Sequence, residues 1–415
     1  MEIENNPFTS INFEKKWMKH FMPSKKALSF KFINGVRFYK TSNFPIYINT
    51  GKNLTKGNYY EIYNANDFIN KVFVIYDVPS HQEIKNTSDS KKGLKLHRIK
   101  QYPGFLIDLD KYSSIDEYLL ATFSKNSRMK LRKYVNRLES CFKISSKMYL
   151  GFIEKREYDF LFEQFMRLLV KRYSKKAVSY NNMQPKEWRF YKDVAYSLIL
   201  ENKASLFVVY DRELPIAITY NYHTDTSIID AITVFDIDYS KFNLGYVNNL
   251  KLIEWCLEND IKRLDFSKGY FDYKKRLGNL QYNFEYHIFY DANSIVSKSY
   301  ASLVKKYFEL KQYMRDKKLN EKLHKITFWL KNVDVNEERE FTYEFVKIEK
   351  DHNWEQLNEI DIDKTNNIAL KKIVFDFQYL NKESFKDVKI FDVVDENSIY
   401  LLRGKKSMVK VQIYN

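Results

Sequence analysis

Residues 232–255 read ITVFDIDYSKFNLGYVNNLKLIEW and predict a strand, a short loop and a helix that starts near Tyr246. A helix that begins directly after a strand offers unpaired backbone N–H groups and the positive end of its dipole, and both favour a bound phosphate. The single glycine of the loop, Gly245, allows a close approach of the backbone. The sequence therefore predicts an anion-binding loop that consists of Asn243, Leu244, Gly245, Tyr246 and Val247.

Strands are predicted on both sides of this loop. Residues 205–211, 214–223 and 227–236 are apolar runs bounded by polar turn residues, which is typical of an antiparallel meander. The run KRLDFSK, residues 262–268, follows the helix and predicts a further strand that ends at Gly269. Because one strand leads into the loop and the next ends at a glycine, we expect both strands to deliver residues to one cleft.

The segment SKNSRMKLRKYVNRLES, residues 124–140, predicts an amphipathic helix with a basic face. Leu131, Tyr134, Val135 and Leu138 recur at helical spacing and form its apolar stripe. The other face holds the densest group of cations in the chain: Lys125, Arg128, Lys130, Arg132, Lys133 and Arg137. Such a face either stays solvated or meets an anion, and we expect it to lie near the cleft.

Composition limits the class of protein. The chain has 415 residues, 44% of them hydrophobic, which predicts two or three domains with a sizeable core. The net charge of +16 attracts nucleic acid, anionic membranes or phosphorylated cofactors. No signal peptide or membrane span is indicated, so a soluble cytoplasmic protein is expected. The two cysteines, Cys141 and Cys256, and the scattered histidines predict neither a disulfide nor a metal site.

The other segments predict an α/β (α+β) protein. Residues 1–110 mix a short helix with strands, two packed helices follow at 154–173 and 186–201, and 298–332 predict closing helices. From about residue 336 the runs EFTYEFVKIEK, IALKKIVFDFQYL, DVKIFDVV, SIYLLRG and MVKVQIYN predict successive strands. We therefore expect a separate small β-rich appendage at the carboxyl end.

Three of these segments carry family motifs. Residues 124–132 follow the pattern Ser–x–x–Ser–Arg–x–x–Leu–Arg, Gly245 precedes a helix, and LDFSKG at 264–269 is followed by FDYKKRLGN at 271–279. Over about residues 10–295 the chain resembles the CelD-type acetyltransferases of the GNAT superfamily. In that family the loop before the helix usually reads Ser–Pro–Gly, and only the glycine is kept here.

The last motif departs from the family at one point. Its pattern Phe–Asp–Phe, two residues, Gly, an acidic pair, one residue and Tyr–Lys is kept at the following residues: Asp265, Phe266, Gly269, Tyr273 and Lys274, with Leu264 in the first position. Tyr270 and Phe271 replace the acidic pair, so a carboxylate that could serve as a base is missing. Asp272 is a candidate substitute.

The resemblance implies a tandem GNAT architecture with mixed central sheets. Its parts would be a degenerate half at 1–150, an acyl-CoA-binding half at 151–300, closing helices at 301–335 and the β-rich appendage at 336–415. In such folds two adjacent parallel strands splay apart, here 227–236 and 262–268, and the pantetheine of acetyl-CoA or another acyl-CoA lies in the opening.

The resemblance also implies roles for residues. Tyr273 would protonate the leaving thiolate, and Asp265 or Asp272 would act as base or orienting group. Gly269 and Lys274 would join the loop in binding the donor, and the anion-facing residues of the basic helix would be Ser127, Arg128 and Arg132. The expected reaction is direct transfer from acyl-CoA to an amine or a sugar hydroxyl of a small-molecule or glycan acceptor, in exopolysaccharide or cell-envelope biosynthesis.

Three alternatives remain open. FemAB-type aminoacyltransferases share the tandem GNAT fold and take the acyl group from aminoacyl-tRNA. A basic, non-catalytic nucleic-acid-binding protein would also explain the charge, although no specific nucleic-acid motif is present. The missing acidic pair is compatible with a degenerate member that has no activity.

Overall fold

The computed structural model describes residues 5–41, 44–81, 93–174, 183–317, 341–348, 357–362, 367–393 and 398–414. Its helices are α1 (Ile11–Phe21), α2 (Ile115–Thr122), α3 (Lys125–Cys141), α4 (Lys155–Ser174), α5 (Pro185–Leu200), α6 (Leu244–Glu258), α7 (Asp272–Leu277), α8 (Ile295–Asp316) and α9 (Ile368–Asn381).

The strands of the first part of the chain are β1 (Leu28–Phe30), β2 (Ile33–Lys40), β3 (Ile46–Asn49), β4 (Glu61–Ile62), β5 (Val72–Pro79), β6 (Leu94–Asp108), β7 (Ile144–Tyr149), β8 (Ala204–Asp211), β9 (Leu214–His223), β10 (Ser227–Phe235), β11 (Arg263–Lys268) and β12 (Leu280–Asp291). Those near the carboxyl end are β13 (Thr342–Lys347), β14 (Leu357–Ile360), β15 (Lys389–Val393), β16 (Ile399–Arg403) and β17 (Met408–Tyr414).

One mixed sheet runs through the larger part of the molecule. Within the described residues it has 12 strands in the order β1-β2-β3-β5-β12-β6-β11-β10-β9-β8-β7, with β4 paired to β2. Strand β12 inserts between β5 and β6, and β6 pairs with β11. The α/β fold class with a mixed sheet is therefore confirmed, and the two predicted halves both contribute strands to this sheet.

Helices cover both faces of the carboxyl-terminal strands. On β8, Phe207 and Val209 are buried in one core with α3 and α6, while Leu206 and Val208 are buried in the other with α4 and α5. This alternation follows from the two-residue repeat of a strand. Helix α1 packs against α5, so the start of the chain adds to the second core.

Most predicted elements near the cleft are confirmed. Strands β8, β9 and β10 form the antiparallel meander, and α3, α4, α5, α6 and β11 lie within a few residues of their predicted bounds. The closing helix α8 ends at Asp316, and the rest of the predicted 298–332 segment falls outside the described residues.

The strand predicted over residues 368–380 is wrong, because this segment is helix α9. Its buried residues Leu370, Ile373, Val374 and Phe377 recur at helical spacing. The Asn367 side chain caps the helix by accepting hydrogen bonds from the first-turn N–H groups. The β-branched and aromatic composition of the run concealed this periodicity.

The appendage is a five-stranded antiparallel sheet, in the order β13-β17-β16-β15-β14, that is joined to the larger part by α9. The Phe375 ring lies 5.1 Å from Phe142 and 4.8 Å from Tyr239, measured between ring centroids. Lys241 forms an ion pair with Asp376 at 2.9 Å. The appendage therefore shares a hydrophobic core with α3 and α6 and is not a separate body.

Candidate active site

Strands β10 and β11 separate in the middle of the sheet. They pair in parallel at three positions only, from Ser227 opposite Arg263 to Ile229 opposite Asp265. Beyond this point β10 continues on β9 through an irregularity after Asp230, and β11 continues on β6. The two strands thus leave the opening that was predicted between 227–236 and 262–268.

Asp265 is the last residue of β11 that pairs with β10, and its carboxylate is held from two sides. The Tyr282 hydroxyl donates to Oδ2 at 2.6 Å, and the Ser267 N–H donates to Oδ1 at 2.6 Å. Burial raises the pKa of Asp265 to about 6, although these hydrogen bonds and the charge of Lys274 act in the opposite direction. The side chain is therefore ionised at neutral pH and can take a proton under mildly acidic conditions.

Gly104 of β6 makes the contact between Tyr282 and Asp265 possible. Tyr282 pairs with Gly104 in the sheet, and its ring must cross β6 to reach β11. A Cβ atom at position 104 would lie 2.3 Å from Cζ of Tyr282, far inside van der Waals contact. A glycine is required here because the ring occupies the place of a side chain.

A buried lysine stands between two carboxyl groups at the opening. Lys274 is 7% exposed and Asp230 is 5% exposed. Burial lowers the pKa of Lys274, and the charges of Asp230 and Asp265 oppose that change. The lysine Nζ donates to the Lys268 carbonyl at 3.1 Å. The two carboxylates in turn favour a charged lysine, so the three groups are electrostatically coupled.

The Asp230 carboxyl is only partly satisfied. Its Oδ1 accepts from the Thr233 hydroxyl at 2.9 Å, whereas Oδ2 has no hydrogen-bond partner among the residues that the structure describes. Burial raises the pKa of Asp230, which Lys274 counteracts. An unsatisfied buried carboxylate oxygen is costly, so this atom is available to a bound molecule.

The amino-terminal part of the chain completes the cluster. Asp77 of β5 is fully buried; its Oδ1 accepts from Lys268 at 2.5 Å and its Oδ2 from the Thr55 hydroxyl at 2.9 Å. Burial lowers the pKa of Lys56 to about 7, and the positive charge of Lys268 adds to the effect. The site is therefore composite, with groups from β5, β10, β11, α7 and the turn before β4.

The sequence did not reveal five members of this cluster: Lys56, Asp77, Asp230, Lys268 and Tyr282. Only Asp230 left a signal, since it is a carboxylate inside the apolar run SIIDAITVF. The other four come from segments far apart in the chain, and only the strand order brings them together.

The predicted anion-binding loop lies at the start of α6. Asn243 adopts a left-handed conformation with φ of 55°, and its carbonyl accepts from the N–H groups of Tyr246 and Val247. Within the described chain the N–H groups of Leu244 and Gly245 have no acceptor. Two of the five predicted positions thus offer free donors, at the positive end of a 15-residue helix.

Gly245 is required for a reason that the sequence did not predict. A Cβ atom at this position would lie 2.6 Å from Cε1 of Phe235, at the end of β10. The Arg172 guanidinium covers the same ring at 4.1 Å from its centroid. The glycine therefore allows the Phe235 ring to pack against the start of α6.

Helix α3 runs beside α6 in the same direction. The Tyr134 and Tyr246 rings lie 6.5 Å apart, and further along Glu139 pairs with Lys251 at 2.6 Å. Since Tyr134 is the tenth residue of α3 and Tyr246 the third of α6, the first two turns of α3, roughly, extend beyond the start of α6. Ser127 and Arg128 lie in this extension.

The cations of this extension already have partners. Arg128 donates to the Phe123 carbonyl at 2.5 Å, and Arg132 pairs with Asp116 at 2.6 Å. The Ser127 N–H donates to the Ser124 hydroxyl at 3.4 Å, which caps the helix. An anion at this face would share these groups with existing acceptors.

The remaining predicted residues lie around α7. The Tyr273 ring is partly buried, with its centroid 5.9 Å from that of Phe266 and 6.2 Å from that of Phe271. Gly269 has a φ of 135°, a region that favours glycine. Asp272 is exposed in the first turn of α7, so the structure separates it from the buried carboxyl groups.

Other parts of the molecule provide fewer reactive groups. A hollow of about 610 Å³ lies at the far edge of the sheet, beside β7 and α4, and none of the predicted site residues lines it. Both cysteines are buried, and burial raises the pKa of their thiols. Within the described residues, no group of three or more His, Cys, Asp or Glu side chains could hold a metal ion, and no helix is long and apolar enough to cross a membrane.

Comparisons with known proteins agree with this geometry in part. No curated protein matches the sequence. Similar solved structures include a conserved protein of unknown function from Bacteroides thetaiotaomicron VPI-5482, with 10% identity, 69% of this chain and 92% of that chain covered and a TM-score of 0.43. FemX has 10% identity, coverages of 68% and 91% and a TM-score of 0.44. A tandem GNAT protein from the clavulanic acid biosynthesis pathway has 8%, 61%, 77% and 0.32 for the same quantities.

A family model gives the catalytic type. Residues 125–275 match a family described as an acetyltransferase (GNAT) domain. This range runs from the start of α3 into α7 and contains the opening between β10 and β11, with Asp230, Asp265 and Lys274 beside it. The protein is therefore an enzyme of the N-acetyltransferase type whose GNAT domain spans residues 125–275.

Proposed function

We propose that the protein transfers an acetyl or other acyl group from acyl-CoA directly to an amine or a sugar hydroxyl. One observation carries this proposal: β10 and β11 stop pairing at Asp265, where Lys274 stands near two buried carboxyl groups. An opening between parallel strands with acid–base groups at its edge suits a thioester on one side and a nucleophile on the other.

The residues present fit such a donor. The free N–H groups of Leu244 and Gly245 at the start of α6 would hold its pyrophosphate. Gly269 and Lys274 would lie along the donor, and Ser127, Arg128 and Arg132 would face its phosphates from the extension of α3. Acyl-CoA supplies the activated acyl group.

The chain's own groups would manage the protons. Asp265, with a pKa of about 6, would accept the proton of the attacking nucleophile, and Lys274 would balance the negative charge that results. Tyr273, packed between aromatic rings, would donate a proton to the leaving sulfur, and exposed Asp272 would orient a substrate. Direct transfer is favoured because burial keeps both thiols protonated at neutral pH.

The CelD-type motifs extend the proposal to the biological setting. They support a small-molecule or glycan acceptor in exopolysaccharide or cell-envelope biosynthesis, handled in the cytoplasm. The tandem arrangement of the parts 1–150, 151–300, 301–335 and 336–415 belongs to the same proposal.

Calorimetric titration of the protein with acetyl-CoA, CoA, aminoacyl-tRNA and generic RNA tests the donor. We expect acetyl-CoA and CoA to bind and the two RNA ligands to bind only through salt-sensitive charge. Tight binding of aminoacyl-tRNA without CoA binding would establish the aminoacyltransferase alternative. Absence of every donor would indicate a non-catalytic protein.

The base is tested by Asp265→Asn, with CoA release measured against a panel of amines and amino sugars. We expect acetyl-CoA affinity to be kept and turnover to fall by roughly a hundredfold or more, since a base acts in the chemical step. Asp260→Asn, an exposed change just before β11, is the matched control. Equal turnover in both variants would remove Asp265 from the mechanism.

A further inference from the structure

A second group of cations lies beside the Lys268–Asp77 ion pair, on the side away from α6. Lys311 and Arg315 are one turn apart near the end of α8, and Lys52 begins the short turn Lys52–Leu54. The charges of Arg315, Lys52 and Lys268 all act on Lys311. We name Lys52, Lys311 and Arg315 the α8 cation cluster.

The Lys268 and aromatic side chains define the position of this cluster. Lys268 Nζ donates to the Asn53 carbonyl at 3.2 Å, which brings the turn of Lys52 to the end of β11. The Arg315 guanidinium lies 3.6 Å from the centroid of Tyr102, and Lys52 Nζ lies 5.8 Å from that of Tyr76. The cluster thus lies over β5, β12 and β6, whose strands follow β11 in the sheet order.

Negative charge does not balance the α8 cation cluster. Both oxygens of Asp77 are occupied by Lys268 and Thr55. Asp316 accepts from the Gln312 amide at 2.7 Å. Among the described residues Lys311 has no hydrogen-bond or ion-pair partner. Burial lowers the pKa of Lys311, and the neighbouring cations lower it further.

Arg315 is the clearest sign of a missing partner. Its side chain is 9% exposed, and Nη1 donates to the Gln312 amide oxygen, yet Nε has no acceptor within the described part of the chain. A buried guanidinium usually satisfies its donors with a carboxylate or a phosphate, because its planar fork matches these anions. Here no carboxylate of the described chain is placed to do so.

We propose that the α8 cation cluster binds a phosphate-type anion carried by the acyl acceptor, an inference that rests on the proposed function. The donor's pyrophosphate site lies at the end of β10, whereas the cluster lies on the other side of β11, so one molecule occupies each side of the Asp230–Asp265–Lys274 group. Two lysines and an arginine suit a doubly charged group. The acceptor is accordingly a phosphorylated or diphosphate-linked amine or sugar.

Inorganic pyrophosphate is the probe, titrated by calorimetry into the full chain. We expect Lys311→Met to weaken pyrophosphate binding about tenfold or more, since one charged hydrogen-bond partner is lost. Lys306→Met is the matched control, because it removes the same charge from an exposed position of α8. Lys311→Met also removes cation repulsion, so its melting temperature should not fall.

Two results would overturn the proposal. One is that pyrophosphate does not bind or that both variants weaken it equally, which reduces the effect to net charge. The other is that acetyl-CoA displaces pyrophosphate from the wild-type protein, which places the probe at Leu244 and Gly245. Acetyl-CoA titration of the same variants tests the donor site independently: unchanged affinity in Lys311→Met supports two sites, and absence of acetyl-CoA binding with Lys311-dependent pyrophosphate binding refutes the donor proposal alone.

Discussion

The molecule has two groups of cations, and they differ in how the chain brings them together. The basic face of α3 holds six cations within one segment, and the structure pairs several of them with local acceptors, as for Arg128 and Arg132. The cations around the opening come from five separate segments and meet only in the fold. Lys56 and Lys311 have no partners among the described residues.

The difference teaches that density along the sequence does not measure convergence in space. Charges on successive turns of an exposed helix diverge into solvent and find neighbours on the same surface, where each pair contributes little. Lys274 is surrounded by a sheet, a strand end and α7, so its charge acts at short range in a poorly solvated place. Substitutions should therefore have unequal effects on the two groups.

The largest effect is expected from Lys274→Met. Removing the cation leaves Asp230 and Asp265 facing each other, which should lower the free energy of unfolding by roughly 3–5 kcal/mol. Their pKa values should rise, and the pH of half-maximal turnover should rise with them. Denaturant unfolding and a pH–rate profile measure both effects. Lys275→Met, an exposed neighbour on α7, is the control, and equal effects of the two variants would contradict the coupling.

Gly104→Ala should come next. The new Cβ atom would overlap the Tyr282 ring, so the ring must leave Asp265, at a cost of roughly 1–3 kcal/mol in the free energy of unfolding. Gly57→Ala is a suitable control because its Cβ atom would meet nothing closer than 3.3 Å. Loss of the Tyr282 hydrogen bond should also raise the pKa of Asp265 further. Wild-type stability in Gly104→Ala would mean that the crossing ring does not hold the carboxylate.

Asp265→Asn should change stability in a pH-dependent way. The pKa of about 6 in the folded chain exceeds the ordinary value near 3.9 of an unfolded Asp, so ionisation favours the unfolded state. The contribution of protonated Asp265 is present at pH 4 and is lost as the pH rises through 6. The variant should therefore gain stability relative to wild type between pH 4 and pH 8, by at most about 3 kcal/mol. A difference that is constant with pH would refute the raised pKa.

The smallest effect is expected on α3. The side chains of Arg132 and Asp116 are 55% and 71% exposed, so Arg132→Ala should cost less than about 0.5 kcal/mol of unfolding free energy. Arg128→Ala should weaken acetyl-CoA binding no more than a few-fold, because the guanidinium is shared with Phe123. Calorimetry measures the affinity. If Arg128→Ala abolished binding while Lys274→Met kept it, the comparison of the two groups would be reversed.

The sequence predicted the elements around the cleft well because their signals are local. Polar turns bound β8, β9 and β10, and the glycine before α6 marks its start. Helix α9 was mistaken for a strand because Ile373, Val374 and Phe375 favour strands, and the core against which they pack lies on α3 and in the turn before α6. Local composition could not specify that partner.

The site was predicted only where one motif contains it. Asp265 and Lys274 lie nine residues apart and were identified from the same pattern. Asp77 and Tyr282 lie on β5 and β12, which reach the opening because β12 inserts between β5 and β6. Strand order of this kind depends on long-range pairing and leaves no mark in either segment.

The contact between α9 and the end of α3 has a consequence for how this gene can change. Arg137 donates to the Tyr379 carbonyl, the Cys141 thiol donates to the Gln378 carbonyl at 3.6 Å, and Phe142 packs on Phe375. A shortened gene that ended after α8 would encode a domain with an open aromatic surface, prone to precipitate on expression. The tail and the last turn of α3 are therefore expected to be inherited, lost or replaced together.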